Sequence, residues 1–258
     1  MPGKNSIVET LKNAFQLYRS TFKICFIIAM LLSVITEGFK VYAQSLGLGK
    51  VVAAYINTGK IDDSALSNHG LLMFLAVATI VLTLLVYGLL ICIGAIKAQS
   101  AQNDGFFAKD MQAALLMLRR RFWSFVGAFI LSIILWVFGS FLSLIGIWIV
   151  ISITLVFFPV VLIDNLNPFA GFKENLRLMR PHIWYVLQLG FIVVLFLFLK
   201  SVLYLLFTSI TGVDQLGFGI EHVLMIFIEA LCLPYVMMLS VAAFYELNKR
   251  DDLPTYEQ

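Results

Sequence analysis

Charged side chains are scarce in this sequence of 258 residues. Asp, Glu, Lys and Arg together make up 13% of it, whereas a soluble domain carries about 25%. Hydrophobic residues reach 61%, and the mean hydropathy is +0.95. So few polar side chains cannot cover the surface of a globule in water, which excludes an ordinary soluble domain. The composition predicts a protein whose solvent is lipid.

Cysteine and strong net charge are also lacking. The three cysteines, Cys25, Cys92 and Cys232, lie far apart inside apolar runs, without the C-x-x-C spacing of a zinc or redox site. This pattern argues against a disulfide framework, and we interpret the thiols as small hydrophobic side chains in the membrane. The net charge is +3 and no Lys/Arg run exceeds three residues, so we expect no nucleic-acid partner.

Catalytic motifs are missing as well. The sequence contains no G-x-S-x-G, H-E-x-x-H, P-loop or dinucleotide-binding fingerprint, so we expect neither an enzyme nor a bound cofactor. His69, Asp214, Glu221 and His222 could gather at one end of the protein and hold a metal ion. They lack the spacing of a metal site, however. We interpret them as solvated loop residues and expect no metal.

Long apolar runs are what the sequence does have. Crossing a bilayer takes about 20 apolar residues at a rise of about 1.5 Å each. The third and fourth predicted crossings form one run that is too long for a single helix, and Gly139, Ser140 and Gly146 mark the hairpin between them. The six predicted transmembrane helices span residues 22–42, 71–98, 122–140, 142–163, 183–207 and 223–245.

The first of these helices allows two interpretations. Its most apolar part, residues 24–36, is short and follows a basic region, which is the outline of a signal peptide cleaved near Ala43. The preceding segment is itself a patterned helix, however. The apolar run also extends to Tyr42 if Glu37 and Lys40 reach towards the headgroups. We therefore expect an uncleaved first helix.

Three short amphipathic segments precede transmembrane helices. Residues 7–19, 107–120 and 169–180 each place apolar side chains on one helical face and polar ones on the other. This predicts three units of interfacial helix plus transmembrane hairpin. We expect an all-α, polytopic bundle of six transmembrane helices, with residues 1–258 forming one integral membrane domain. Each returning helix also carries a residue that we interpret as a helix breaker. These are Gly88, Pro159 and Pro234.

Basic side chains predict the orientation of the bundle. Fourteen of the eighteen Lys and Arg residues fall on one side of the six predicted helices, together with both termini and the amphipathic segments. Lys40, Lys50, Lys60 and Lys200 lie on the other side. Because cytoplasmic loops carry the excess of basic residues, we expect both ends of the chain in the cytoplasm.

Two ionisable residues lie inside apolar runs. Lys200 and Glu229 sit at similar depth in the fifth and sixth predicted helices, away from the basic side. Charges at such depth are costly and usually face a partner or a wet cavity. An intramembrane charge pair is the first interpretation. Separate contacts with headgroups, or a role in handling protons or a substrate near Pro234, are the alternatives.

The basic side also offers contacts for anionic lipid. Each Lys or Arg near an anionic membrane surface contributes about 1 kcal/mol. The orientation rule requires the same residues, so topology alone explains them equally well. The candidate lipid contacts are Arg19, Arg119, Arg120, Arg121, Arg177 and Arg180.

Residues 158–187 carry a recurrent pattern of bacterial membrane domains. A proline within an apolar run is followed by an acidic residue, a short amphipathic helix and a basic-aromatic return to the membrane. The matching positions are Pro159, Asp164, Phe172, Leu178, Arg180 and Trp184. The segment resembles YciC-like inner-membrane proteins and the related membrane domain of some glycerophosphoryl diester phosphodiesterases. The resemblance implies a six-helix fold in the bacterial inner membrane. Without a phosphodiesterase domain, it implies no such activity.

Two functions fit these features. The first is a non-enzymatic protein of envelope or lipid homeostasis that binds membrane lipids or a membrane-protein partner, which the basic side and the amphipathic segments favour. The alternative is a small transporter or permease for an amphiphilic substrate, since internal repeats and interrupted helices recur in transporters. A water-accessible cavity lined by Lys200 and Glu229 would favour the alternative, and a tightly packed bundle would favour the first.

Overall fold

The structure, a computed structural model, describes residues 6–46, 69–99, 108–211 and 219–251. Over these residues the chain is almost entirely helical and contains no strand, so the predicted all-α class is confirmed. A 3-10 turn at Arg180–His182 joins the fifth α-helix to the sixth. The α-helices are α1 Ser6–Ser45, α2 His69–Gln99, α3 Ala108–Phe141, α4 Ser143–Ile163, α5 Pro168–Met179, α6 Ile183–Thr211 and α7 Ile220–Asp251.

Six stretches of the described chain are long and apolar enough to cross a membrane. Five of them fall within single helices, and the remaining one runs through α5, the 3-10 turn and most of α6. Large apolar side chains such as Trp123, Phe138 and Leu144 are exposed on the outside of the bundle. An apolar exterior of this kind suits lipid and not water. The chain is therefore a multi-pass membrane protein.

The three amphipathic segments join the membrane helices in different ways. The first two continue into the apolar runs without a break, so that α1 and α3 are single helices, although residue 107 itself lies outside the described chain. The third is the separate helix α5, because Pro181 has no N–H with which to continue it. Asn167 caps α5 by accepting a hydrogen bond from Ala170 N at 2.8 Å, and Pro168 occupies the first helical position.

Two glycines shape the turn between α3 and α4. Leu142 N donates to Gly139 O at 3.0 Å, and Ser143 adopts a φ of 55° where the chain reverses. A Cβ atom on Gly146 would run into the carbonyl group of Gly139, so the close approach at this turn requires glycine. The hairpin thus falls where Gly139, Ser140 and Gly146 predict it.

The three residues interpreted as helix breakers lie inside continuous helices. Pro159 is buried within α4, and Pro234 lies within α7. Gly88 lies within α2, where an added Cβ would meet Leu118 and Phe125 of α3. Gly88 therefore allows α2 and α3 to pack closely and does not break its helix, which corrects the interpretation from sequence.

Helices α4 and α7 form the centre of the bundle. α4 packs against α3, α5, α6 and α7, and α7 makes the most extensive contact of the bundle with α1. Two buried clusters meet along α7. Leu239 and Phe244 belong to the cluster that includes α4 and α6, whereas Met238 and Val241 belong to the cluster formed largely by α1, α2 and α3. Residues on different faces of α7 therefore pack into both clusters and connect them.

Most of the basic residues lie at one end of the bundle. Thr10 near the start of α1 hydrogen-bonds to Tyr185 near the start of α6, with 2.7 Å between the hydroxyl oxygens. Arg121 of α3 contacts the end of α4. Lys97 near the end of α2 and Lys249 near the end of α7 line one pocket. We term this the basic end, and the other the opposite end.

Candidate functional site

A pocket of about 290 Å³ opens between α2, α3, α4, α6 and α7. Its wall is mostly apolar and aromatic, and Tyr87, Trp136, Phe158 and Phe196 are among the lining residues. We term it the interhelical pocket. Apolar cavities with a few polar groups, often between the helices of a bundle, are the usual form of a small-molecule site.

Lys200 and Glu229 are the charged side chains that line the interhelical pocket. Lys200 Nζ lies 3.2 Å from Glu229 Oε1, and the two side chains are 25% and 23% exposed. The structure therefore brings together the two residues that the sequence places at equal depth. This geometry favours an ion pair over separate contacts with headgroups. Because the pair lines a pocket, the alternative of a role in substrate handling remains.

One oxygen of the ion pair is unsatisfied. Glu229 Oε2 is buried, and no described residue hydrogen-bonds to it. Two hydroxyls that line the pocket are engaged elsewhere, since Thr154 donates to Val150 O at 2.9 Å and Ser240 donates to Leu155 O. An unsatisfied buried acceptor costs about 1–3 kcal/mol, and more when it is charged. A donor that enters the pocket would remove this cost.

Pro234 weakens the backbone of α7 near the ion pair. It has no N–H for the carbonyl of Ala230, so α7 lacks one backbone hydrogen bond one residue beyond Glu229. Leu233 and Val236, close to the proline, line the interhelical pocket. Proline is a common cause of helix kinks, so α7 has a place to bend beside the pocket.

A second buried polar site joins the end of α1 to the start of α7. His222 Nδ1 lies 3.0 Å from Glu37 Oε2, and Lys40 pairs with Glu37 Oε1. Glu221 Oε1 lies 3.9 Å from His222 Nε2. The side chains of Glu37 and His222 are 3% and 8% exposed. In this Glu37–His222 cluster, both oxygens of Glu37 have partners.

The position of this cluster corrects two expectations from sequence. The sequence predicts that Glu37 reaches towards headgroups and that His222 and Glu221 are solvated. In the structure, Glu37 and His222 are buried against each other. No local spacing reveals that α1 and α7, far apart in the chain, are neighbours. His69 and Asp214, the other members of the predicted set, lie outside the described side chains. Within the described residues, no three His, Cys, Asp or Glu side chains are arranged to hold a metal ion.

Another pocket, of about 330 Å³, opens at the basic end between α1, α2 and α7. Asn13, Gln16, Lys97, Glu246 and Lys249 are among the residues that line it. Lys97 is only 8% exposed there. Because charges of both signs and amide groups face this polar pocket, it suits hydrated groups, in contrast to the interhelical pocket.

The six arginines predicted as lipid contacts occupy different environments. Arg177 is exposed and pairs with Glu174, with 2.6 Å between Nη2 and Oε1. Arg121 is half-buried, and its guanidinium donates to Leu162 O and, at 2.8 Å, to Ile163 O. It therefore binds the free carbonyls at the end of α4, and its contact with lipid stays a prediction. The other exposed members are Arg19, Arg119, Arg120 and Arg180.

Asp164 directly follows α4, outside the apolar stretch. Partial desolvation raises the pKa of its carboxyl group, and the negative charge of Glu174 raises this pKa further. The positive charge of Arg121 opposes both effects. The ionised form of Asp164 is therefore slightly unfavourable in the folded protein.

No family model, curated protein or solved structure matches the chain. The six apolar stretches and the all-α fold define the class to which it belongs, that of multi-pass membrane proteins. What the protein does is therefore inferred from the interhelical pocket, its ion pair and the exposed basic residues.

Proposed function

We propose that the protein is a non-enzymatic membrane protein that binds an amphiphile of the membrane, such as a lipid, in the interhelical pocket. The observation that carries this proposal is an apolar pocket whose wall contains one ion pair, Lys200–Glu229. An apolar wall takes a hydrocarbon group, and the ion pair takes a polar head. An amphiphile has both parts, whereas a purely polar solute would leave the aromatic wall without contacts.

The size and mouth of the pocket suit part of a lipid. Its volume of about 290 Å³ lies at the lower end of the roughly 300–1,000 Å³ that ligand pockets occupy. Two of its lining residues, Trp136 and Leu197, are also exposed on the outside of the bundle, at 39% and 46%. A headgroup and the start of one chain fit inside, while the remaining hydrocarbon stays in the bilayer.

We place the protein in the bacterial inner membrane with both termini in the cytoplasm. The excess of Lys and Arg on the side of the termini supports this orientation. The resemblance of residues 158–187 to YciC-like inner-membrane proteins supports the location, and membership of that family is part of the proposal. Reporter fusions after residues 108 and 172 should indicate the cytoplasm. A far-side signal at either point would contradict the orientation.

Membrane lipids are the proposed partners, and envelope or lipid homeostasis is the proposed role. In the proposed orientation, Arg19, Arg119, Arg120 and Arg180 face the cytoplasmic leaflet, where each contributes about 1 kcal/mol towards anionic headgroups. The exposed apolar side chains of α5, Phe169 at 80% foremost, fit a helix that lies in the interface. A membrane-protein partner would share this surface, and nucleic acid has no part in the proposal.

Cys232 provides a direct test of amphiphile binding. It lines the interhelical pocket, whereas Cys25 and Cys92 are fully buried. A small maleimide should therefore alkylate mainly Cys232 in the purified protein, and a bound amphiphile should slow that reaction. Native mass spectrometry of the protein in native-lipid particles should show a copurified lipid.

Two tryptophan variants on α6 provide the matched comparison. Leu197→Trp fills the mouth of the pocket and should remove the copurified lipid. Leu195→Trp is the control, because Leu195 is similarly exposed on α6, at 54% against 46%, but does not line the pocket. Equal lipid content in the two variants would refute the proposal.

A transporter for an amphiphile is the second candidate. Two observations favour it. The interhelical pocket is lined by Lys200 and Glu229, which is the feature that we associate with a transporter from the sequence. A second pocket also opens along α7, and the buried Val241 separates its lining residue Ala242 from Ser240 of the interhelical pocket. A bend at Pro234 would let one pocket open as the other closes, which alternating access requires. If Cys232 reacts with a membrane-impermeant maleimide from one side only, with or without the amphiphile, a binding protein is favoured. If the reactive side changes when the amphiphile is added, transport is favoured.

A further inference from the structure

We infer that the interhelical pocket recognises a zwitterionic headgroup that joins a primary ammonium to a phosphate, as phosphoethanolamine does. This assignment rests on the proposed function, because it specifies the amphiphile bound at the same site. Three features meet there, namely an ion pair, a buried carboxylate oxygen without a partner among the described residues, and an apolar wall.

Glu229 supplies the acceptor for the ammonium. Its Oε1 already pairs with Lys200 at 3.2 Å, whereas Oε2 is buried and receives no hydrogen bond from the described residues. A carboxylate oxygen removed from water needs a donor, and an ammonium N–H forms a strong, charge-assisted hydrogen bond with it. A quaternary ammonium has no N–H and would leave Oε2 unsatisfied. The pocket is therefore expected to prefer a primary amine.

Lys200 supplies the donor for the phosphate. A lysine ammonium has three N–H donors, and Glu229 accepts from one of them. A phosphate oxygen beside Lys200 would accept from another, as it does where lysine binds phosphate as a point charge. The phosphate of the ligand would then lie beside Lys200 and its ammonium beside Glu229, so that the four charges alternate in sign. Each charge would lie next to two of opposite sign.

The apolar wall makes charge balance decisive. Lys200 and Glu229 neutralise each other, and they are the charged residues of the pocket lining. An amphiphile with a net charge would add that charge to surroundings of low dielectric constant, where desolvation outweighs contact with a single partner. A zwitterion adds no net charge. Since the hydroxyls of Thr154 and Ser240 already donate to backbone carbonyls, selection of the headgroup depends on the ion pair.

Protection of Cys232 by matched lysolipids tests the assignment. The full-length protein, purified in a detergent with a neutral sugar headgroup, is alkylated with a maleimide in the presence of three lysolipids of identical acyl chain. Their headgroups are phosphoethanolamine, phosphocholine and phosphoglycerol. We expect phosphoethanolamine to reach half-protection at a concentration about tenfold or more below that of the other two, which is the effect of one charge-assisted hydrogen bond.

Two variants connect the preference to Glu229. Glu229→Gln should abolish the preference for phosphoethanolamine over phosphoglycerol while some protection persists, because the apolar wall is unchanged. Glu174→Gln is the matched control, since Glu174 pairs with Arg177 on the surface and does not line the pocket, and it should keep the full preference. Comparing lysolipids within each variant cancels any change in the intrinsic reactivity of Cys232.

The outcomes separate headgroup recognition from amphiphile binding. Equal half-protection by all three lysolipids refutes headgroup recognition and leaves amphiphile binding intact. Stronger protection by phosphocholine refutes the hydrogen bond to Glu229 Oε2 and indicates recognition by aromatic rings instead. No protection by any of them, with Cys232 still reactive, refutes both. If Glu229→Gln fails to fold, the comparison on the wild-type protein decides alone.

Discussion

Two glutamates within the apolar helices meet their hydrogen-bond partners in different ways. Glu37 uses both carboxylate oxygens, one towards His222 and one towards Lys40, and its side chain is 3% exposed. Glu229 uses one oxygen towards Lys200, keeps the other unsatisfied among the described residues, and borders a pocket. Complete hydrogen bonding is typical of a structural connection, whereas an unsatisfied buried group calls for a functional explanation. The comparison supports a structural role for Glu37 and the proposed recognition role for Glu229.

Removal of Glu37 should have the largest effect on stability. Glu37→Ala deletes the carboxylate that His222 and Lys40 share where α1 meets α7, and the loss of a buried hydrogen bond to a charged group costs about 1.5–3 kcal/mol, to which the lost packing adds. We expect a clear fall in the Tm measured in detergent, with the lysolipid preference at Cys232 unchanged in the protein that remains folded. An unchanged Tm would contradict the structural role of Glu37.

Breaking the Lys200–Glu229 pair should cost less, because each side chain is about a quarter exposed. Each charge is less completely desolvated than in a fully buried pair, so we expect a loss of about 1–2 kcal/mol for Lys200→Met or Glu229→Gln alone. The double variant should recover most of that loss, since neither charge then stands alone in the apolar wall. Thermal unfolding of the four proteins measures the coupling. Strictly additive losses would show that the two residues do not interact.

A bound ligand should stabilise variants of the two glutamates differently, by a free energy similar to or smaller than the loss from breaking the Lys200–Glu229 pair. At ten times its dissociation constant, an amphiphile that binds only the folded protein stabilises it by about 1.4 kcal/mol. The phosphoethanolamine lysolipid should raise the Tm of wild type and of Glu37→Ala alike, and should raise that of Glu229→Gln less. Equal increases in the two variants would remove the functional distinction between the glutamates.

Asp164, a carboxylate outside the apolar stretches, gives the smallest expected effect. Desolvation and Glu174 raise its pKa in the folded protein, so the folded state favours the protonated form. Protonated Asp164 therefore contributes to the free energy of unfolding. This contribution is complete at low pH and is lost as the pH rises through the raised pKa. Asp164→Asn should therefore be slightly more stable than wild type at neutral pH and equally stable in acid. Melting curves at both pH values check this, and an advantage that grows in acid would contradict it.

The two ionic sites also show which contacts a sequence can reveal. Lys200 and Glu229 lie on consecutive helices, so counting residues from their shared loop places them at the same depth and predicts their contact. Glu37 and His222 lie on helices far apart in the chain, and no counting rule makes those helices neighbours. The six crossings are predictable for the same local reason as the first pair, because each is a continuous apolar run.

Features that depend on a neighbouring helix are misjudged from sequence. Gly88 resembles a helix breaker in isolation, yet its missing side chain makes room for Leu118 and Phe125. Arg121 resembles a surface cation, yet it binds the carbonyls that end α4. The interhelical pocket needs five helices in place before it exists. The sequence therefore predicts the charged pair, but it leaves a cavity beside that pair as an alternative and does not give its shape or its other lining residues.

The contact between α1 and α7 affects how the protein is assembled during synthesis. Helix α1 leaves the ribosome long before α7, yet these two helices form the most extensive contact in the bundle. Throughout translation of the intervening helices, the face of α1 that carries Glu37 has not yet met His222. Membrane insertion of α1 and its final packing are therefore separate events. Closure of the bundle must wait until the insertion machinery has released α7.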